Sequence, residues 1–345
     1  MSAIPTRNLL ALLGRLETAL VEQGMARPED FPRGLDGQAI RGRTAMLALE
    51  LPEDLQSLYQ WHDGMRGGEF LPGLTFNPLE VAIRRYEVWI ERFSGELGPW
   101  EPGWLPIFES GGCTSFVRCG AVERGGLWYL CPEVDELGWL ADSIGDWVEW
   151  CVRAYEDGAV YIDPKRGRSI DAQKSAAILR DLDPTPPNVE SLVDALIGDN
   201  QMLRAKARDR LIAYRYAEAV KPVLRLLEAD QHDVVGDAAR ILASSGLPET
   251  VAPMIEVAAR WERRRGNLDN PVLYRLSGYG QEIVELLTGA LSGGDDKLRA
   301  AAATCLGALG DARAFPALHA ALSDRSPQVR AAVRKAIARM QRKQL

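Results

Sequence analysis

A nine-residue pattern returning at a near-fixed interval constrains this chain more than any other feature. Leu203-Arg-Ala-Lys-Ala-Arg-Asp-Arg-Leu211, Val234-Val-Gly-Asp-Ala-Ala-Arg-Ile-Leu242, Leu298-Arg-Ala-Ala-Ala-Ala-Thr-Cys-Leu306 and Val329-Arg-Ala-Ala-Val-Arg-Lys-Ala-Ile337 start 31, 64 and 31 residues apart. The double gap predicts a degenerate copy near residue 270. A second ladder, Pro222, Pro253 and Pro316, runs out of phase with the first. Each proline sits early in an apolar segment, where a helix has no use for the missing N–H. In the last copy Phe315, Leu318 and Leu322 share one helical face. Ser323 to Pro327 read as a turn. Val329, Val333, Ala336, Ile337 and Met340 then give a second apolar stripe at helical spacing. Two such helices cannot bury their stripes alone, whereas stacked neighbours can. Five helical hairpins are expected over 189–345, with the third made irregular by Trp261 to Gly266 and by the Gly, Asn and Pro of 267–280.

The composition and the run Leu306-Gly-Ala-Leu-Gly-Asp311 resemble the short HEAT-like repeats of phycobilin lyases. The resemblance implies an all-α solenoid and leaves function open, since this repeat hosts many binding roles. Some HEAT-repeat enzymes hold iron through repeated His-Glu pairs. The three histidines here, His62, His232 and His319, never precede Glu. Arg204, Arg299 and Arg330 recur at one place in their units, each preceded by Asp199, Asp295 or Asp296, and Asp324. Acidic residues between the arginines favour an Asp–Arg ladder tying hairpins together over a phosphate-binding stripe.

Residues 1–165 read as a mixed α+β domain, with 166–188 a helix and a Pro-rich linker ending in Asp183-Pro-Thr-Pro-Pro187. Leu9 to Leu16 suggest an amphipathic helix and not a signal peptide. Leu51 to Gly64 gives a short helix with Pro52 in its first turn and Gly64 as its stop. Asn77 to Phe93 gives another. Trp104 to Phe108, Cys113 to Cys119 and Gly126 to Cys131 read as strands. Ser143 opens a last helix, with Asp146 as capping partner.

The order of these segments carries a second resemblance. Leu51-Pro-x-Asp-Leu-x-x-Leu-Tyr-x-x-His-Asp-Gly64, an apolar-Pro-Gly turn at Leu71 to Gly73, an Asn77-Pro-Leu-Glu helix start, Trp104-Leu-Pro-Ile, and Asp142-Ser with Trp147-Val-Glu-Trp150 are similar to the SUKH superfamily over roughly 35–165. That family includes the yeast Smi/Knr cell-wall regulators and many bacterial immunity proteins. The resemblance implies a mixed sheet with flanking helices and a protein partner: most concretely a toxin, a nuclease for instance, that the chain binds and neutralises. Its fungal members imply the alternative, a scaffold or regulator. The chain departs from the family at Gly112-Cys-Thr-Ser-Phe-Val-Arg118, where a Gly-Asp pair and a further acid are usual.

Charge supports a basic protein partner. The net charge is −7, yet residues 1–185 carry 18 Lys/Arg against 29 Asp/Glu, and residues 186–345 carry 23 against 19. The acidic half attracts basic proteins and repels nucleic acid. Glu109, Glu133, Asp135, Glu136 and Trp139, read as loop positions of the acidic segment, are the expected partner-binding residues. For Trp139 a core position is the favoured reading, and an exposed anchor the alternative.

Catalytic and cofactor chemistry finds no support. Cys113, Cys119 and Cys131 follow no zinc spacing and lack a fourth ligand. Five cysteines without an export signal predict reduced thiols in a cytoplasmic protein, with these three buried in strands. His62-Asp63 reads as a helix end. The Gly-Gly pairs form no phosphate loop, and no apolar run is long enough to cross a membrane. The chain is expected to need no metal and no cofactor.

Overall fold

The computed structural model describes residues 6–47, 49–93, 100–119, 125–132, 136–163, 167–183, 188–245, 247–265, 270–272 and 281–343. The chain divides into two compact units, 1–186 and 187–345.

In the first unit Leu9, Leu13, Leu16 and Leu20 recur every three or four residues, so helix α1 (Thr6–Glu22) buries one side completely. It packs on α3 (Glu53–Trp61) and on α5 (Ile144–Glu156). The short α2 (Gly37–Thr44) and the longer α4 (Leu79–Phe93) flank them. Five antiparallel strands form one sheet in chain order: β1 (Thr75–Phe76), β2 (Trp104–Ser110), β3 (Cys113–Arg118), β4 (Gly125–Cys131) and β5 (Glu136–Ala141). Residues facing each other across antiparallel strands share a face. The row Leu105–Val117–Leu127–Ala141 closes on the helices and joins the main core. The opposite face carries the row Pro106–Phe116–Trp128–Trp139, also buried. Trp104 stacks on Phe116 there, and Trp100 meets both edge-on.

The acidic residues of the motifs have a structural use. Asp54 Oδ2 accepts the amide of Ile144, 2.8 Å away at the start of α5. Asp63 Oδ1 accepts the amide of Leu79 at 2.8 Å, capping α4, while its second oxygen meets Arg43. These orphan amides need an acceptor, and a carboxylate at a helix N-terminus also opposes the dipole. Gly64 has φ +81°, and a Cβ there would stand 2.3 Å from Pro78 N, so only glycine fits against the chain entering α4.

A hairpin of β6 (Val160–Asp163) and β7 (Gly167–Ile170) precedes α6 (Ala172–Leu182). The helix expected within 166–188 is α6; its Ile178 lies in the core of the first unit, and Asp181 pairs with Arg153 of α5. The prolines 184, 186 and 187 that motivated the linker all lie outside the described residues.

The second unit is helical: α7 (Val189–Leu196), α8 (Gln201–Tyr214), α9 (Val220–Leu226), α10 (His232–Ser245), α11 (Val251–Arg265), α12 (Gln281–Ser292), α13 (Asp296–Leu309), α14 (Phe315–Ala320) and α15 (Pro327–Lys343). Each of the four sequence copies falls on a second helix: α8, α10, α13 and α15. Alpha8 packs on α10, and α13 on α15. Trp261 to Arg265, expected to break the helix, instead continue α11, which packs directly on α13. Buried Asn270 donates to the Ala258 carbonyl at 2.6 Å, and Pro271 lies against Gly236 of α10. The third copy begins there, and most of it lies outside the described residues.

Candidate functional site

The sheet brings two of the five expected partner-binding residues to one end. The register row Glu109–Thr114–Leu130–Leu137 is followed by the last row, Ser110–Cys113 and Cys131–Glu136. Glu109 and Glu136 therefore sit three strands apart, roughly 14 Å at the usual strand spacing. They are strand residues and not loop residues. The alternation Leu137, Trp139, Ala141, masked by the glycine at 138, was the signal for β5. Glu109 is held by an ion pair with Arg85 of α4. Glu136 accepts a hydrogen bond from Tyr129 Oη at 2.8 Å, and the tyrosine ring lies over Gly138, where any Cβ would collide with it. Both carboxylates are thus oriented by neighbours. Glu133 and Asp135 lie outside the described residues.

Trp139 lies in the core, the position favoured for it, and is not an exposed anchor. Only 6% of it is accessible. It pairs across strands with Trp128, and its indole N–H donates to Asp142 at 3.1 Å. Its acidic neighbours in sequence had left an exposed position open, but the two-residue period of β5 turns it onto a covered face.

The cysteines bring a second correction. Cys113 and Cys131, expected as separate buried thiols, are joined as a disulfide and are half-exposed. The antiparallel register sets them directly opposite, Cα atoms 4.3 Å apart, the close spacing of a pair without backbone hydrogen bonds. Eighteen residues separate them in sequence, and only strand pairing reveals the contact. The remaining thiols are buried. Burial pushes the Cys119 thiol up to about 12 and raises that of Cys151, so neither is a thiolate nucleophile at neutral pH.

His62 closes α3, as its position at the helix end suggested. Its Nδ1 lies 2.7 Å from the Pro32 carbonyl and its Nε2 3.1 Å from Glu17, which also accepts from the Trp61 indole. Both ring nitrogens are used in joining α1, α3 and the 31–32 loop. Among the described residues no cluster of three or more His, Cys, Asp or Glu could hold a metal ion. No helix among them is long and apolar enough to cross a membrane.

In the second unit the arginine ladder is present, with partners in the following hairpin more than the preceding one. Arg299, buried, forms a two-pronged pair with Asp324 at 2.8 and 3.1 Å and donates to the Gly294 carbonyl. The guanidinium holds the Asp324 carboxyl below its usual range. Arg204 faces Asp233 and Asp237, and buried Arg208 joins Asp209 to Asp237. Arg330 donates to the Asp324 carbonyl. Arg204, Arg208 and Arg299 link neighbouring hairpins, whereas Arg330 braces the turn of its own. A groove of about 380 Å³ runs between α13 and α15, floored by Gly307, Ala332 and Ala336 and edged by Lys335 and Arg339. Gly307 permits the close approach: a Cβ would stand 2.6 Å from Ala336 Cα.

Residues 35–150 match the SMI1 / KNR4 family (SUKH-1), and residues 283–344 match HEAT repeats. No curated protein matches the chain. Among solved structures, one engineered protein is 19% identical over 50% of this chain and 84% of its own, at a TM-score of 0.23. The human deoxyhypusine hydroxylase in complex with glycerol is 16% identical over 52% of this chain and 93% of its own, at 0.19. Scores this low carry no argument about function. The two family matches, in the order in which the motifs and the repeat occur, join a SUKH-1 segment to HEAT repeats in one chain.

Proposed function

We propose that this chain is a non-enzymatic protein-binding protein, most concretely an immunity protein that binds and neutralises a cognate basic toxin. The observation that carries the reading is the SUKH-1 match over 35–150, in a unit whose sequence is strongly acidic while its motif aspartates, Asp54 and Asp63, are committed to helix caps. Recognition then falls to other carboxylates. Glu109 and Glu136, at one end of the sheet, are the proposed contact residues, with Glu133 and Asp135 between them in sequence. Fixed carboxylates steer a basic partner and speed its association. The setting is proposed to be the cytoplasm.

The groove between α13 and α15 supports a second reading, a scaffold or regulator in which the hairpins form a solenoid that holds a second protein. Co-expression with each protein encoded beside this one tests the first reading. It predicts that one neighbour arrests growth alone and that the full chain restores growth and co-purifies with it. A chain with no toxic neighbour, or one whose toxicity persists, contradicts it and leaves the scaffold.

A further inference from the structure

Cys113 and Cys131 differ from the other three cysteines in being half-exposed. They occupy the terminal row of the sheet, with Ser110 opposite Cys113 on β2 and Glu136 opposite Cys131 on β5. The β3–β4 ladder holds the two Cα atoms face to face through Thr114–Leu130 and Ser115–Tyr129. Backbone pairing does not depend on the sulfur bond, so the reduced pair stays poised. Cys119 lies beyond the other end of β3, six residues or roughly 20 Å of strand away, too far to compete for either sulfur.

We propose that Cys113–Cys131 is a reversible modification site, exchanging with small-molecule disulfides of the glutathione class, and that oxidation fixes the end of the sheet carrying Glu109 and Glu136. In the forward direction the Cys113 thiolate attacks one sulfur of the small disulfide. Its S–S bond breaks, one thiolate leaves, and a mixed disulfide forms. The Cys131 thiolate then attacks the Cys113 sulfur and expels the second small thiolate. Two cysteine sulfurs are oxidised, one disulfide is reduced to two thiols, and the protons lost by the cysteines pass to those thiols. The bond ties the Ser110-Gly-Gly-Cys113 turn to the chain entering β5, beside the Tyr129–Glu136 hydrogen bond. This inference concerns the state of the sheet end and stands whether or not a toxin is the partner.

The test uses the full chain in glutathione buffers of stepped oxidised-to-reduced ratio, quenched by alkylation and read by peptide mass. The linked Cys113 and Cys131 peptides should form and disappear together with the ratio, while Cys119, Cys151 and Cys305 stay unalkylated in the folded chain. Hydrogen exchange of residues 110–115 and 129–137 should be at least about tenfold slower in the oxidised form, since the cross-link restricts local opening. A Cys113→Ser/Cys131→Ser double variant should exchange as the reduced chain does. A pair that stays reduced at every ratio, a bond to Cys119, or equal exchange in the two wild-type forms would overturn the inference, and the wild-type measurements need no variant to fold.

Discussion

The two units use the same resource, the aspartate carboxylate, in different ways. In the first unit Asp54 and Asp63 reach across long sequence separations to cap α5 and α4, and one core spans α1 to α6. In the second, Asp237 and Asp324 reach only to the neighbouring hairpin, and the second helices pack in neighbouring pairs, α8 on α10 and α13 on α15. A shared core makes a unit cooperative, whereas neighbour contacts make stability a sum of local terms. The difference teaches where damage spreads, and it can be broken by substitution.

The largest expected effect is Phe70→Ala. Phe70 is fully buried and meets Trp61, Phe76, Phe108 and Trp147. Its loss should cost about 4 kcal/mol and, in denaturant melts followed by hydrogen exchange, loosen all of residues 6–182 together. Loosening confined to residues near 70 would deny the shared core. Next, Asp237→Ala removes a buried carboxylate shared by Arg208 and Arg204 in the second unit, leaving them Asp209 and Asp233. It should cost about 2 kcal/mol, with faster exchange in α8 and α10 and an unchanged α15. An equal response in α15 would erase the contrast.

Asp63→Ala removes the α4 cap and the Arg43 pair, at an expected cost of about 1 kcal/mol, read as a lower urea midpoint. The smallest effect concerns Asp146. Burial outweighs its Ser143 hydrogen bond and, with the charges of Asp142, Asp54 and Asp183, raises its carboxyl above 3.8. The folded state then holds this proton more tightly than the unfolded chain, so the group's contribution to stability falls as pH rises through its folded pKa. Asp146→Asn should stabilise the chain slightly at pH 7, with the gain vanishing below pH 3.8. A loss at pH 7 would show that the helix dipole outweighs burial.

Legibility in the sequence followed the range of the interactions. The hairpins of the second unit repeat their stripe locally, so Val329, Val333 and Ile337 announced α15 without knowledge of any neighbour. The third copy failed at Trp261 because a charged run, Glu262 to Arg265, still propagates a helix. In the first unit the order of motifs named the segments, and their reasons stayed hidden. That Asp63 caps α4, or that Cys113 meets Cys131, depends on contacts between distant segments. At the candidate site the acidic segment and the core preference of Trp139 were legible, but the strands were not: Glu109 and Glu136, expected in loops, lie in β2 and β5, the latter a strand whose alternation Gly138 obscured.

The central claim is that recognition belongs to the first unit. The most direct measurement is hydrogen-exchange footprinting of the full chain, alone and bound to the neighbour-encoded protein with which it co-purifies. Protection gathered in residues 104–142, and weakened by Glu109→Gln with Glu136→Gln, is the predicted result. Protection confined to residues 187–345 would contradict it and move recognition to the helical hairpins.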